Sequence, residues 1–362
     1  MPGKTARSSN LELLRILCML LIIGDHLTGQ GGIADYTTLP SSFAFCLIGC
    51  GSRIACSVFI LIGGWFLCEQ PYKARRPLSL WLSLWLYTVP VTLLCRLGGL
   101  DVPLGALRWA LFPASTRQLW FISDYLLLLL CVPLLNRLLH GLPRTAHRGV
   151  LAVLAVPLLV YPTLFAENGL TGDTAWMFLY EYLLIAYLRR YPDNRLTRLL
   201  QRRCAALLLG LGLPLVNTAV RAVLEMRGLT DGKAFQFIAY YRTALGALPN
   251  LLAALALFYL FEGLSLGSVR WINALSGTTL GVYILHQIPA FRGFLWNGIL
   301  QAQAHHGSVG YTLFAVAAVF LGCAAVDAAR TALVMRPLEK TKLFRTLCEK
   351  GDALAAKITA DD

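Results

Sequence analysis

The chain has 362 residues, of which 57% are hydrophobic and only 14% charged, and its formal net charge is +13. Soluble domains are about a quarter charged, so this composition excludes a water-soluble globule. Apolar runs of roughly 20 residues, enough to cross a hydrocarbon core, recur along the whole chain, and Lys and Arg fall in short clusters between them instead of along the continuous face that nucleic acid would require.

The fold expected is therefore all-α: a polytopic membrane protein of about ten transmembrane helices. Residues 1–7 are basic and lead into an apolar run, as in a secretory signal. Glu12 and Arg15 interrupt that run, and no small-x-small cleavage site follows, so it reads as a retained first helix. Hydropathy and chain-breaking residues place spans near 11–32, 43–68, 78–98, 118–138, 149–165, 174–189, 204–223, 235–262, 272–290 and 309–334. Residues 99–113 are moderately apolar but short and broken by proline, which fits a surface or re-entrant segment.

With the N-terminus inside, segments 1–10, 69–77, 137–148, 189–203, 263–270 and 335–362 are cytoplasmic. They hold 21 Lys and Arg against 5 in the external loops, a positive-inside bias that places both termini in the cytoplasm. Residues 1–335 then form one transmembrane domain. Residues 336–362 form a basic amphipathic cytoplasmic tail, with Leu338, Leu343, Phe344 and Leu347 among Lys and Arg as in a helix lying on an anionic inner leaflet. The ten cysteines lie mostly inside apolar spans and include no C-x-x-C pair, so they read as packing residues, and no metal site is expected.

An unpaired ionisable side chain at the centre of a bilayer costs roughly 3 kcal/mol or more. The intramembrane groups are therefore the first candidates for function: Glu12, Arg15, Asp25 and His26 in the first span, Arg53 in the second, Glu181 in the sixth, Arg242 in the eighth, His286 in the ninth, and Asp327 with Arg330 in the tenth. Arg15 and His26 are eleven residues apart, about 20° from three whole turns, so they share one helix face with His26 about 16 Å further along the axis. Glu12, three residues before Arg15, offers that charge a local partner.

A neutral imidazole at the depth of His26 can act as general base towards a hydroxyl; the plainer alternative is a histidine at the outer interface. Asp25 cannot face it on a regular helix. The rise per residue puts His286 about 22 Å above the cytoplasmic start of its span, against about 21 Å from Glu12 to His26, so the two imidazoles lie at similar depth. Glu181 and Arg242 fall in the same half of the bilayer, as substrate contacts or as a structural ion pair. Asp327 and Arg330 are placed to pair with each other, and Trp120 and Trp271 suit an interfacial aromatic belt.

Residues 10–26, NLELLRILCMLLIIGDH, resemble the opening of the acyltransferase-3 family of membrane acyltransferases, which has an acidic residue, an Arg and, after ten residues, a His. In the same order and spacing, residues 57–67, SVFILIGGWFL, resemble the family's second-helix segment; 119–122, LWFI, its fourth-helix start; and 281–286, GVYILH, its penultimate-helix motif. The resemblance implies about ten helices, a cytoplasmic acyl-CoA donor and an envelope glycan or lipid-linked sugar as acceptor. It also implies His26 with Arg15 as the catalytic pair, no bound cofactor, and a basic cytoplasmic segment, here Lys73, Arg75 and Arg76, that holds the donor. Phosphates suit such arginines through charge-assisted hydrogen bonds, although topology alone also places positive charge there. One departure is Gly63-Gly64 where the family has Ser-Gly, read as Gly replacing a helix-contact Ser.

The activity expected is an O-acetyltransferase of the cell membrane, in which acetyl-CoA is a co-substrate and His26 either deprotonates the acceptor or briefly carries the acyl group. Two rivals come from other classes. Intramembrane His, Glu and Arg could serve a secondary transporter, although the two halves show no repeat, or the chain could be a non-catalytic membrane partner.

Overall fold

The computed structural model describes residues 9–168 and 174–360, the side chains at 174, 242 and 243 excepted; Lys4 and Arg7 lie outside the described residues. Among the described residues there is no strand. The principal helices are α1 (Asn10–Gly31), α2 (Leu39–Leu67), α3 (Arg75–Leu97), the short α4 (Leu104–Leu111), α5 (Trp120–Gly141), α6 (Arg144–Phe165), α7 (Thr174–Arg190), α8 (Arg203–Met226), α9 (Lys233–Thr243), α10 (Leu248–Glu262), α11 (Arg270–Ser276), α12 (Thr279–Gln287), α13 (Val309–Glu339) and α14 (Lys342–Thr359).

Six of these, α2, α3, α5, α6, α8 and α13, are long and apolar enough to cross a membrane. In α2, 78% of the most apolar stretch is buried inside the protein, against 22–39% in the other five, so α2 is the central helix. Around it the others turn leucines and valines outward, among them Leu94, Leu130, Val153, Leu208 and Leu313. α1 has 22 residues but carries Glu12, Arg15 and Asp25, and α7 has 17.

Two expected spans are broken. Residues 235–262 form α9 and α10 separated at 244–247, because Pro249, which has no N–H to give, suits the first turn of a new helix. Asn250 Nδ2 donates to the carbonyls of Tyr241 (2.5 Å) and Ala244 (2.9 Å), so backbone acceptors freed by the break are satisfied by protein. Residues 272–290 divide into α11 and α12 at Gly277-Thr278, and Pro289 then begins the short helical piece Pro289–Gly293.

The end of the chain also differs from expectation. The last long helix does not stop at 334 but continues to Glu339 through a π-helical turn, Thr331–Met335. α14 then folds back under the bundle: its Asp352 Oδ1 accepts from the Ala74 N–H at 2.6 Å, and its Ile358 carbonyl from Arg137 Nη1 at 3.0 Å. Its apolar residues divide accordingly. Phe344 is buried while Leu343 and Leu347 are exposed.

Hydrogen bonds gather the loops into two groups. Ser9 N–H donates to the Gly267 carbonyl at 2.7 Å, Asn10 Oδ1 accepts from Leu266 N–H at 3.0 Å, and Arg144 pairs with Asp193 at 2.8 Å, all among segments expected on one face. At the other end Gly307 N–H donates to the Ile33 carbonyl at 2.8 Å and Tyr241 Oη to the Thr163 carbonyl at 2.9 Å.

Candidate active site

The site is built on α1 and α12, with α2, α5 and α11 as walls. Residues 26 and 286 are 260 apart in the chain, yet His26 Nδ1 lies 2.9 Å from His286 Nε2. His286 is fully buried, and its Nδ1 lies 2.6 Å from the Val282 carbonyl one turn back on its own helix.

A carbonyl can only accept, so His286 Nδ1 carries the hydrogen, and Nε2 of the neutral ring is then an acceptor. His26 Nδ1 must donate to it. The His26 Nε2 lone pair is left as the basic end of a three-member chain, Val282 carbonyl, His286, His26. Asp25 is half-buried beside His26 on a regular helix; the orienting partner is His286, on another helix. One turn beyond His26, Gln30 exchanges amide hydrogen bonds of 3.1 Å with Gln287 and accepts from Trp296 Nε1 at 3.1 Å, which ties α1 to α12 just past the imidazoles.

At the other end of the α1 face, Arg15 Nη1 reaches Glu12 Oε1 at 3.1 Å, the partner its spacing indicates, and Ser276 Oγ at the end of α11 donates to Glu12 Oε2. Glu12 is thus held from both sides, and the Nε and Nη2 of Arg15 make no hydrogen bond among the described residues. From Arg15 a cavity of about 390 Å³ runs past Met19 and Ile22, the next two positions on the α1 face, between Phe59, Tyr125 and Tyr283. The ring of Tyr283 is 6.3 Å from that of His26. A channel walled by aliphatic and aromatic side chains, with a guanidinium at one end and an imidazole beyond the other, suits an apolar arm whose reactive group must reach the base.

The Gly63 departure has a structural reason. A Cβ at Gly63 would stand 2.9 Å from Tyr125 Oη, and one at Gly64 2.7 Å from Ile185 Cγ2 on α7. Gly63 therefore lets the tyrosine that walls the cavity lie against α2. Gly281, in the 281–286 stretch, plays the same part for α13, since a Cβ there would fall 2.1 Å from Asp327 Oδ1. That aspartate accepts from Tyr87 Oη at 2.5 Å and from Arg330 at 3.0 Å, the pair its spacing indicates.

The remaining candidates are dispersed. Arg53 stacks over the ring of Trp120 at 5.6 Å, so Trp120, expected in the interfacial belt, packs inward against Phe121 and Phe178. Trp271 is exposed. Glu181 is fully buried, accepts from Ser57 Oγ at 2.5 Å, and has a second oxygen with no hydrogen-bond partner among the described residues. The Arg242 side chain lies outside the described residues. Lys73 is exposed, Arg75 pairs with Glu339 at 2.5 Å, and Arg76 donates to Gln70. No group of three His, Cys, Asp or Glu side chains could hold a metal ion among the described residues.

Ser276, Gln30, Gln287 and Trp296 lie outside the sequence motifs, and Tyr283 lies inside the 281–286 stretch with no role indicated there. Gln30 is four residues from His26 on the same face, a signal the sequence does carry; nothing local marks Ser276, whose place is set by where α11 ends.

A family model described as an acyltransferase domain matches residues 8–328. No curated protein matches the chain, and no solved structure does. The match runs from α1 into α13, ending at residue 328, and takes in every residue of the imidazole chain and its cavity. The chain is a membrane protein of the acyltransferase-3 family.

Proposed function

We propose that the protein transfers an acyl group, acetyl in the first instance, from cytoplasmic acyl-CoA to a hydroxyl of an envelope glycan or lipid-linked sugar in a bacterial cell membrane. The observation that carries this is the hydrogen-bonded chain from the Val282 carbonyl through His286 to His26, which presents Nε2 of His26 as a base. Both termini lie in the cytoplasm in this reading. α1, α7 and the broken pairs α9/α10 and α11/α12 cross the bilayer with the six long helices, which makes ten crossings.

The donor enters with its apolar arm in the cavity that begins at Arg15, and the acceptor hydroxyl approaches His26 from the external side. His26 Nε2 takes the hydroxyl proton as the oxygen attacks the thioester carbonyl. The new C–O bond forms, the C–S bond breaks, and the leaving thiolate takes the proton back from the imidazolium. His286 accepts from Nδ1 throughout, so the ring keeps one orientation and the positive charge that develops on it is shared.

Purified protein given radiolabelled acetyl-CoA and a mixed envelope-glycan acceptor should release CoA and label the glycan. His26→Ala should lower that rate at least about 100-fold, the order of general-base catalysis, with insertion and yield preserved. Acetylation by correctly inserted His26→Ala at near the wild-type rate would sink the assignment.

A further inference from the structure

We infer that the C-terminal segment after Arg330 forms the site for the phosphorylated nucleotide end of the donor, with Arg336, Lys340 and Arg345 as its phosphate ligands beside Arg75. The inference rests on the acyl-CoA reading above, and it places the phosphate contacts largely on residues beyond 328, where the family match ends.

Three cavities lie in series. The 390 Å³ cavity of Arg15 shares Gly277 and Leu280 with one of about 200 Å³ that contains Tyr87, Asp327 and Arg330. That second cavity shares Arg336 and Glu339 with a third, of about 490 Å³, between the start of α3 and the segment 336–352. The wall common to the first two is the break between α11 and α12, where a second expected span is interrupted. The order matches an extended thioester: reactive end at His26, apolar arm along α1, anionic end under α14.

The charge of the third cavity favours an anion once its internal bonds are counted. Its walls carry Arg75, Arg336, Lys340 and Arg345 against Glu339, Glu349 and Asp352. Glu339 is already held by Arg75 at 2.5 Å and by Ser79 Oγ at 2.7 Å, and Asp352 by the Ala74 N–H at 2.6 Å. Arg336, Lys340 and Arg345 are exposed, and their side chains make no hydrogen bond or ion pair among the described residues. With the Arg75–Glu339 pair set aside, three cations face two carboxylates, Glu349 and Asp352, the latter bonded only to a neutral backbone N–H, around a space of about 490 Å³. Phosphate esters are the ligands such a fork of guanidinium and ammonium groups recognises.

A phospholipid headgroup shares that chemistry, and the test separates the two sources. Full-length protein in phosphatidylcholine nanodiscs should bind adenosine 3′,5′-bisphosphate in competition with acetyl-CoA. The triple variant Arg336→Gln, Lys340→Gln, Arg345→Gln should weaken that binding about tenfold or more and flatten its salt dependence, as loss of charge-assisted contacts requires. Lys340→Glu alone should weaken it in the same direction, which keeps the test open if the triple variant folds poorly. Wild-type affinity in both variants, with acetyl-CoA still bound, overturns the tail site and leaves the donor reading standing. Loss of bisphosphate binding in phosphatidylglycerol nanodiscs would identify a lipid headgroup as the occupant and also overturn it. Failure of wild type to bind either acetyl-CoA or the bisphosphate would remove the acyl-CoA reading itself, and this inference with it.

Discussion

The imidazole pair and the groove under α14 are both polar sites on an apolar bundle, but they are held differently. His286 is fully buried, and both of its nitrogens are occupied, by Val282 and by His26. The groove cations are exposed, and among the described residues only Arg75 of them has an ion-pair partner. In the first case low local dielectric makes each hydrogen bond strong and each missing one costly, so geometry is fixed by very few atoms. In the second, water screens each charge and several cations share the work, so no single one dominates. The proposed catalytic positioning suits the first arrangement, and the proposed binding of a large anion the second.

Substitutions can break or sharpen this contrast. The largest effect after His26 itself is expected at His286. His286→Ala removes the acceptor for His26 Nδ1, frees the ring to rotate, and should lower kcat about 100-fold, the order that a displacement of about 1 Å costs. It should also alter the pH profile of kcat, which a purely packing role would leave in place; a near-normal rate with an unchanged profile would show that His26 is oriented by something else.

Next comes Arg15→Lys. Lys keeps the charge but not the planar fork that lets Arg15 hold Glu12 and still face the cavity. Losing one charge-assisted hydrogen bond, about 1.5–3 kcal/mol, predicts a drop of roughly tenfold or more in kcat/KM for the donor. Full activity in the Lys variant would reduce Arg15 to a local counter-charge for Glu12.

The smallest effect is expected at Gly63. Gly63→Ser places a Cβ against Tyr125 Oη, and overpacking of that kind costs typically about 1–3 kcal/mol. Melting temperature should fall by a few degrees and donor KM should change by a few-fold as Tyr125 shifts into the cavity. Adding Tyr125→Phe removes the opposing hydroxyl and should restore both; additive losses in the double variant would show that the two positions are not coupled.

Much of the site was legible in the sequence because helical geometry is periodic. The spacing of Glu12, Arg15 and His26 places them on one face, and the rise per residue puts His26 and His286 at similar depth. Local pairs such as Asp327 with Arg330 follow from the same rule. The breaks in 235–262 and 272–290 fall beside Pro249-Asn250 and at Ser276-Gly277-Thr278-Thr279, short polar interruptions that hydropathy averaged over a whole span passes over, and hydropathy carries no record of where a helix stops when protein, not water, satisfies the freed backbone. Pro249 and Gly277 stand at these breaks, but Pro90 and Pro133 lie inside unbroken helices of the same bundle, so such residues alone do not mark a stop.

By itself, then, the sequence determined an all-helical membrane protein, its family resemblance, and which ionisable residues share a helix face. Composition, periodicity and short motifs are local properties that need no partner. Only the tertiary structure decided that His26 and His286 touch, that Ser276 holds Glu12, that Tyr125 occupies the space Gly63 leaves, and that α14 folds under the bundle beside Arg75 instead of standing apart. Each of these joins residues tens to hundreds of positions apart, and the distance between two helices depends on how all the side chains between them pack. No local pattern records that.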